Sequence, residues 1–183
     1  MDRFRLLDHK PLRLEDVLLA EKEFNELLDS EFYLSKKALL SWKQKWASLA
    51  QRVEADIKKG CLGAQLEDVS YQFVRSYKNA ETKVEIRNAK FIEAELIKFK
   101  DLFDKVETYP LTEEQRRAIV VDEESNLVVA GAGSGKTSTI LGKTAYIVKK
   151  GLATPEDILL IAFNRDVVAQ MASRLYARLG IRF

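Results

Sequence analysis

The sequence predicts an α/β fold: one βαβ unit of a parallel sheet, preceded by an all-helical module of antiparallel hairpins. Three observations carry this. An apolar run at 127–130 leads into a glycine-rich loop and then a helical pattern from Lys136 to about Lys150. A second apolar run, Ile158-Leu159-Leu160-Ile161-Ala162-Phe163, is continuous, as in a parallel strand buried on both faces. Before Thr108-Tyr109-Pro110, apolar residues instead recur at three- and four-residue spacing, the period of amphipathic helices. Pro110 marks the change. The expected domains are therefore a helical module over 1–109 and an incomplete α/β domain over 110–183.

Residues 1–13 hold mixed charge and no clear period. From Leu14 the pattern turns helical, with Val17, Phe24 and Leu28 on one face. Asp29-Ser30-Glu31 breaks it. A second helix is expected over about 35–59, where Leu39, Trp42, Trp46, Leu49 and Val53 form a narrow seam. Lys58, Lys59 and Gly60 suit its C-terminal end. This helix is basic, so its lysines around Trp42 and Trp46 can be read as a nucleic-acid surface. The plainer reading, which we favour, makes the tryptophans core anchors and the lysines a solvated face. A third helix is expected over about 65–77 and a fourth over about 80–107, with Asn79 capping the fourth or joining the two. Tyr71, Phe73 and Tyr77 can be read as base-stacking residues, but at helical spacing they are read as core.

Thr112 with Gln115 three residues on is a capping box for the helix that begins there. The Gln115 amide, both donor and acceptor, can also meet an adenine edge. Asp122 and Glu123 are read as a solvated turn at the entry to the expected strand 127–130. The loop Ala130-Gly131-Ala132-Gly133-Ser134-Gly135-Lys136-Thr137 has the order a phosphate cradle requires. Glycines let backbone N–H groups turn inward around an anion. The helix they open presents unpaired N–H groups and a positive dipole end, at which Ser138 also lies. Lys136 is expected between the β- and γ-phosphates of ATP, and the Thr137 hydroxyl on Mg²⁺. The expected nucleotide site is thus Gln115 with residues 130–138, and Lys136 and Thr137 are the groups expected to act in catalysis.

A net charge of +2 excludes a strongly basic nucleic-acid clamp for the chain as a whole. One cysteine, Cys61, and one histidine, His9, exclude an intrachain disulfide and argue against a structural zinc site. No apolar run reaches the ~18 residues of a membrane span, and no signal-like core follows Met1. A cytoplasmic protein with no membrane partner is expected.

These motifs resemble the start of a UvrD/Rep-type superfamily 1 DNA helicase. The residues are Leu111-Thr112 with Gln115-Arg116, then 127–137, then 158–163 with Met171 and Arg174. Ala130 at the first loop position is that family's habit, and the helical region before it resembles the DNA helicase IV branch. The resemblance implies a RecA-like P-loop fold, ATP and Mg²⁺ as cofactors, and Gln115 as adenine reader. It also implies single-stranded DNA contact through Phe163, Asn164 and Arg165. The sequence departs there: Asp166 stands where the family has a lysine, and a carboxylate repels phosphate. The second acidic motif, the transition-state arginines and the second RecA-like domain that the resemblance implies are not in this sequence. The chain is therefore expected to be the N-terminal part of an ATP-dependent helicase. Alone it is expected to be inactive, to bind DNA weakly, and to have an incomplete sheet that can self-associate. The alternative is a short interaction protein whose nucleotide site is vestigial or regulatory. A small-molecule kinase is disfavoured by the Gln115 motif.

Overall fold

A computed structural model describes residues 12–180; most of the mixed-charge opening stretch, with His9, lies outside them. The chain divides into two compact units, Met1–Arg87 and Asn88–Phe183.

The first unit holds α1 (Leu14–Leu28), α2 (Lys36–Lys59), α3 (Ala64–Lys78) and the start of α4 (Ala80–Lys98). α2 forms where the seam predicts it. The Ser35 hydroxyl accepts from Ala38 N–H at its start, and Gly60 closes it at φ +64°, a left-handed position suited to glycine. The seam buries Trp42, which stacks on Phe24 at 4.4 Å between ring centroids. Its indole N–H donates to the Ala20 carbonyl at 3.1 Å, so the one polar atom of a large buried ring is satisfied. The Trp46 indole donates to Glu23 at 2.9 Å. Phe73 is fully buried, and the half-buried Tyr77 donates its hydroxyl to the Lys43 carbonyl at 3.0 Å. Both tryptophans and two of the three aromatics read as candidate stackers are thus structural; Tyr71 alone is exposed.

The lysines of α2 are not a free basic face. Lys43 pairs with Glu81 at 2.5 Å, Lys45 with Glu23 at 2.6 Å and Lys58 with Glu54 at 3.1 Å. The hydrogen bond from Lys43 holds the Glu81 carboxyl below its ordinary value, and that from Lys45 does the same for Glu23.

The second unit continues α4 and adds α5 (Lys100–Lys105), α6 (Glu113–Val120), α7 (Lys136–Lys150) and α8 (Arg165–Leu179), with a 3-10 turn at Pro155–Asp157. The long fourth helix expected over 80–107 is two helices, broken at Phe99. The break lies where Phe99 and Phe103 both face Tyr146, at 5.0 and 6.2 Å. Tyr146 is buried and donates to Glu95 at 2.6 Å, and Lys150 donates to the same carboxylate at 2.7 Å. Burial, with the hydrogen bond to Glu95, pushes the Tyr146 phenol well above its ordinary value.

The expected α/β fold is not found. Among the described residues every regular element is helical, with no strand and no sheet. The runs at 127–130 and 158–163 are non-helical segments without a ladder between them. Continuous apolarity predicted burial on both faces, but only one face of the second run is covered. Leu160 and Ala162 pack with Leu141, Met171 and Leu175, whereas Leu159, Ile161 and Phe163 point to solvent. Leu127 and Val129 are exposed as well. A parallel ladder is stable when neighbours cover both faces and extend its edges, and two isolated segments have neither support. Asp122 is exposed in the non-helical segment after α6, where its carboxylate accepts from Lys143 at 2.9 Å.

Candidate functional site

α6 begins with the capping box that the Thr112/Gln115 spacing predicts. The Gln115 N–H donates to the Thr112 hydroxyl at 3.4 Å, and the Thr112 N–H donates to Gln115 Oε1 at 2.9 Å. The same amide does a second thing. Its Nε2 donates to the Ser134 carbonyl at 3.1 Å, tying α6 to the glycine loop. A primary amide offers two N–H groups and two lone pairs. These two bonds use one of each, leaving one donor and one acceptor for a ligand.

α6 reaches this position by packing closely on α7. A Cβ on Gly142 would stand 2.5 Å from Ile119 Cδ1 and 2.9 Å from Leu111 Cδ1, so glycine opens the notch into which these side chains fit. Lys143, one residue on, donates to the carbonyls of Ile119 and Val121 at 2.9 and 3.0 Å, closing the C-terminal end of α6.

The loop before α7 is held by its own side chains. Ser134 Oγ donates to the Gly131 carbonyl at 2.8 Å, and Lys136 Nζ donates to the carbonyls of Gly131 and Ala130 at 2.6 and 3.0 Å. Gly133 and Gly135 are left-handed, at φ +75° and +84°. At Gly135 a Cβ would also stand 2.4 Å from Gln115 Nε2. At Gly131 and Gly133 it would meet nothing within 4 Å, so the space over the loop is open. Lys136 is exposed, and Thr137 and Ser138 are half-buried in the first turn of α7. The leading N–H groups of that turn have no carbonyl four residues back to bond.

This donor set fits a phosphate group. It offers a lysine ammonium now satisfied only by loop carbonyls, unpaired helix amides, a positive dipole end and open space above them. Among the described residues no group of three or more His, Cys, Asp or Glu is placed to hold a metal ion. A cation at this site would rest on the Thr137 hydroxyl and on oxygens of the ligand itself.

A groove of about 460 Å³ adjoins the loop, lined by Gly133, Gly135 and Ser138 on one side and by Gln115, Tyr109 and Arg174 on others. The structure therefore brings Gln115 to the glycine loop. It does not bring Phe163, Asn164 or Arg165 to this groove. Phe163 is fully exposed, Arg165 is exposed at the start of α8, and the Asn164 side chain is engaged as the N-cap of α8, accepting from Val167 N–H at 2.9 Å. Reading the motifs alone missed Tyr109 as a groove residue, although its place just before Pro110 and the capping box was a signal. It also missed the ion pair of Arg174 with the buried carboxylate of Glu107, for which no local pattern exists.

Residues 111–182 match the UvrD/REP helicase N-terminal domain. This segment belongs to the UvrD/REP helicase family. DNA helicase IV of Escherichia coli is 45% identical to this chain over 92 residues, which is 50% of this chain and 14% of that protein. DNA helicase II of Rickettsia typhi is 34% identical over 68 residues, 37% of this chain and 10% of that protein. The chain thus spans 14% or less of the length of these helicases. No solved structure matches at a significant level. The helicase segment contains the capping box, the glycine loop and α8, so the residues that form the groove beside the loop lie largely within the matched stretch. Among the described residues no helix is long and apolar enough to cross a membrane.

Proposed function

We propose that this chain supplies the ATP-binding start of an ATP-dependent DNA helicase that works on single-stranded DNA in the cytoplasm. The observation that carries the reading is the Gln115 side chain. It caps α6 and holds the Ser134 carbonyl at once, and still keeps one donor and one acceptor beside an open glycine loop. The exocyclic amine and the neighbouring ring nitrogen of adenine offer the complementary donor and acceptor. The amides of Gly133, Gly135 and the first turn of α7 then face the phosphates, with Ala130, Gly131, Ala132 and Ser134 shaping the cradle. Lys136 exchanges its loop carbonyls for phosphate oxygens, and Thr137 and Ser138 offer hydroxyls at the helix start. Bound Mg²⁺ supplies neutralisation of the phosphate oxygens. Hydrolysis and translocation belong to the complete enzyme, because phosphoryl transfer draws on charge stabilisation from several groups together.

The test is a titration of the purified chain with ATP-Mg²⁺. The parent is expected to bind and Lys136→Ala to lose at least an order of magnitude in affinity, since it removes the charged partner of the phosphates. Equal binding by the two proteins would exclude this site.

A further inference from the structure

We propose that Tyr109 is a specificity-determining residue of the same site and stacks on the purine ring of the bound nucleotide. The inference rests on the nucleotide reading above and adds a ring contact to it. The groove runs from the glycine loop past Gln115 to the turn at 108–110. A ligand with its phosphates at Gly133–Gly135 and its base edge against Gln115 would place its ring in the groove that Tyr109 also lines.

The turn is built to hold an aromatic there. On one side the buried Glu107 carboxylate is ion-paired with Arg174, and the Thr108 hydroxyl accepts from Arg178 at 2.8 Å. On the other side the Leu111 N–H donates to the Phe103 carbonyl at 3.0 Å, and the Leu111 side chain is buried. Pro110 between them fixes its own φ and favours an extended Tyr109. The backbone is thus tied down before and after Tyr109, while its side chain is 80% exposed and lines the groove. A tyrosine in that position has little reason to be aromatic for the core. It has only two side-chain torsions to restrict when a base lies on it, so little entropy opposes stacking. A purine, with the larger face, gains more from the contact than a pyrimidine does.

The full chain is titrated with ATP-Mg²⁺ and, separately, with inorganic tripolyphosphate and Mg²⁺, which has the phosphates and no base. Because Tyr109 is exposed, Tyr109→Leu and Tyr109→Phe should both fold, which the melting curve checks. Tyr109→Leu is expected to bind ATP roughly ten-fold more weakly, as loss of one base–aromatic stack gives. It should bind tripolyphosphate as the parent does, and Tyr109→Phe should match the parent with both. Unchanged ATP affinity in Tyr109→Leu, or an equal loss for tripolyphosphate, would overturn the stacking role while leaving the nucleotide site standing. If the parent binds tripolyphosphate no better than Lys136→Ala does, the nucleotide reading itself fails and the stacking role falls with it.

Discussion

Gly135 carries two demands at one position. Its φ of +84° lies where a side chain is strained, and a Cβ there would run into the Gln115 amide at 2.4 Å. The first demand alone costs roughly 1–2 kcal/mol for an L side chain. The second displaces the amide that joins α6 to the loop. Gly135→Ala is therefore expected to lower stability by about 1–2 kcal/mol in urea denaturation, and to weaken ATP binding in the titration described above. An unchanged denaturation midpoint would mean that the loop does not hold this conformation in solution. Gly133 makes an instructive contrast. It shares the left-handed φ, but a Cβ there meets open space, so its substitution acts through backbone strain alone.

At the scale of elements, the placement of Gln115 depends on what anchors α6. Gly142 and Lys143 fix it to α7, and Arg116 fixes its start to α5. The Arg116 guanidinium donates to the Leu111 carbonyl at 2.7 Å and to Asp104 at 2.6 Å. Asp104 also accepts from Lys100, and this bond first, then that from Arg116, holds its carboxyl below the ordinary value of 3.8. A carboxyl depressed in the folded state stabilises the fold above its unfolded value, and that contribution is lost as pH falls through the lower, folded value. Asp104→Asn should thus flatten the acid side of the stability profile, with its melting temperature falling less than the parent's between about pH 5 and pH 2. Parallel profiles for the two proteins would show that the pair is screened out by solvent, as exposed pairs often are.

Across the whole molecule, charge is balanced rather than concentrated. The net charge is +2, and lysines of α2 that look like a basic stripe in sequence are paired with Glu81, Glu23 and Glu54. Each pair turns a positive charge into a local dipole, so fewer counterions are released from a nucleic acid that approaches. Single-stranded DNA is accordingly expected to bind this chain weakly and to dissociate as salt is raised. Lys43→Gln with Lys45→Gln should leave that binding unchanged in an anisotropy titration. Tight binding that survives added salt and vanishes in the double variant would place a DNA site on α2.

The sequence by itself determined the features that short-range chemistry controls. α2 begins and ends at Ser35 and Gly60 because an N-cap hydroxyl and a left-handed glycine act within one turn. The Thr112/Gln115 box was equally legible, since both bonds lie within three residues. The order of glycines, Lys136 and Thr137 revealed the loop and its family. Only the tertiary structure decided the rest. Whether 127–130 and 158–163 become strands depends on neighbours that cover and pair with them, and apolarity measures only the need for such neighbours. At the break, Phe99 packs edge-on against Tyr146, more than forty residues away, and no local pattern announces that contact. The spare donor and acceptor of Gln115 emerged only once Ser134 was seen to take its other N–H, and the groove beside Tyr109 only once Arg174 met Glu107. Local hydrogen bonds are written in neighbouring residues, whereas burial and long-range pairing are properties of the folded chain.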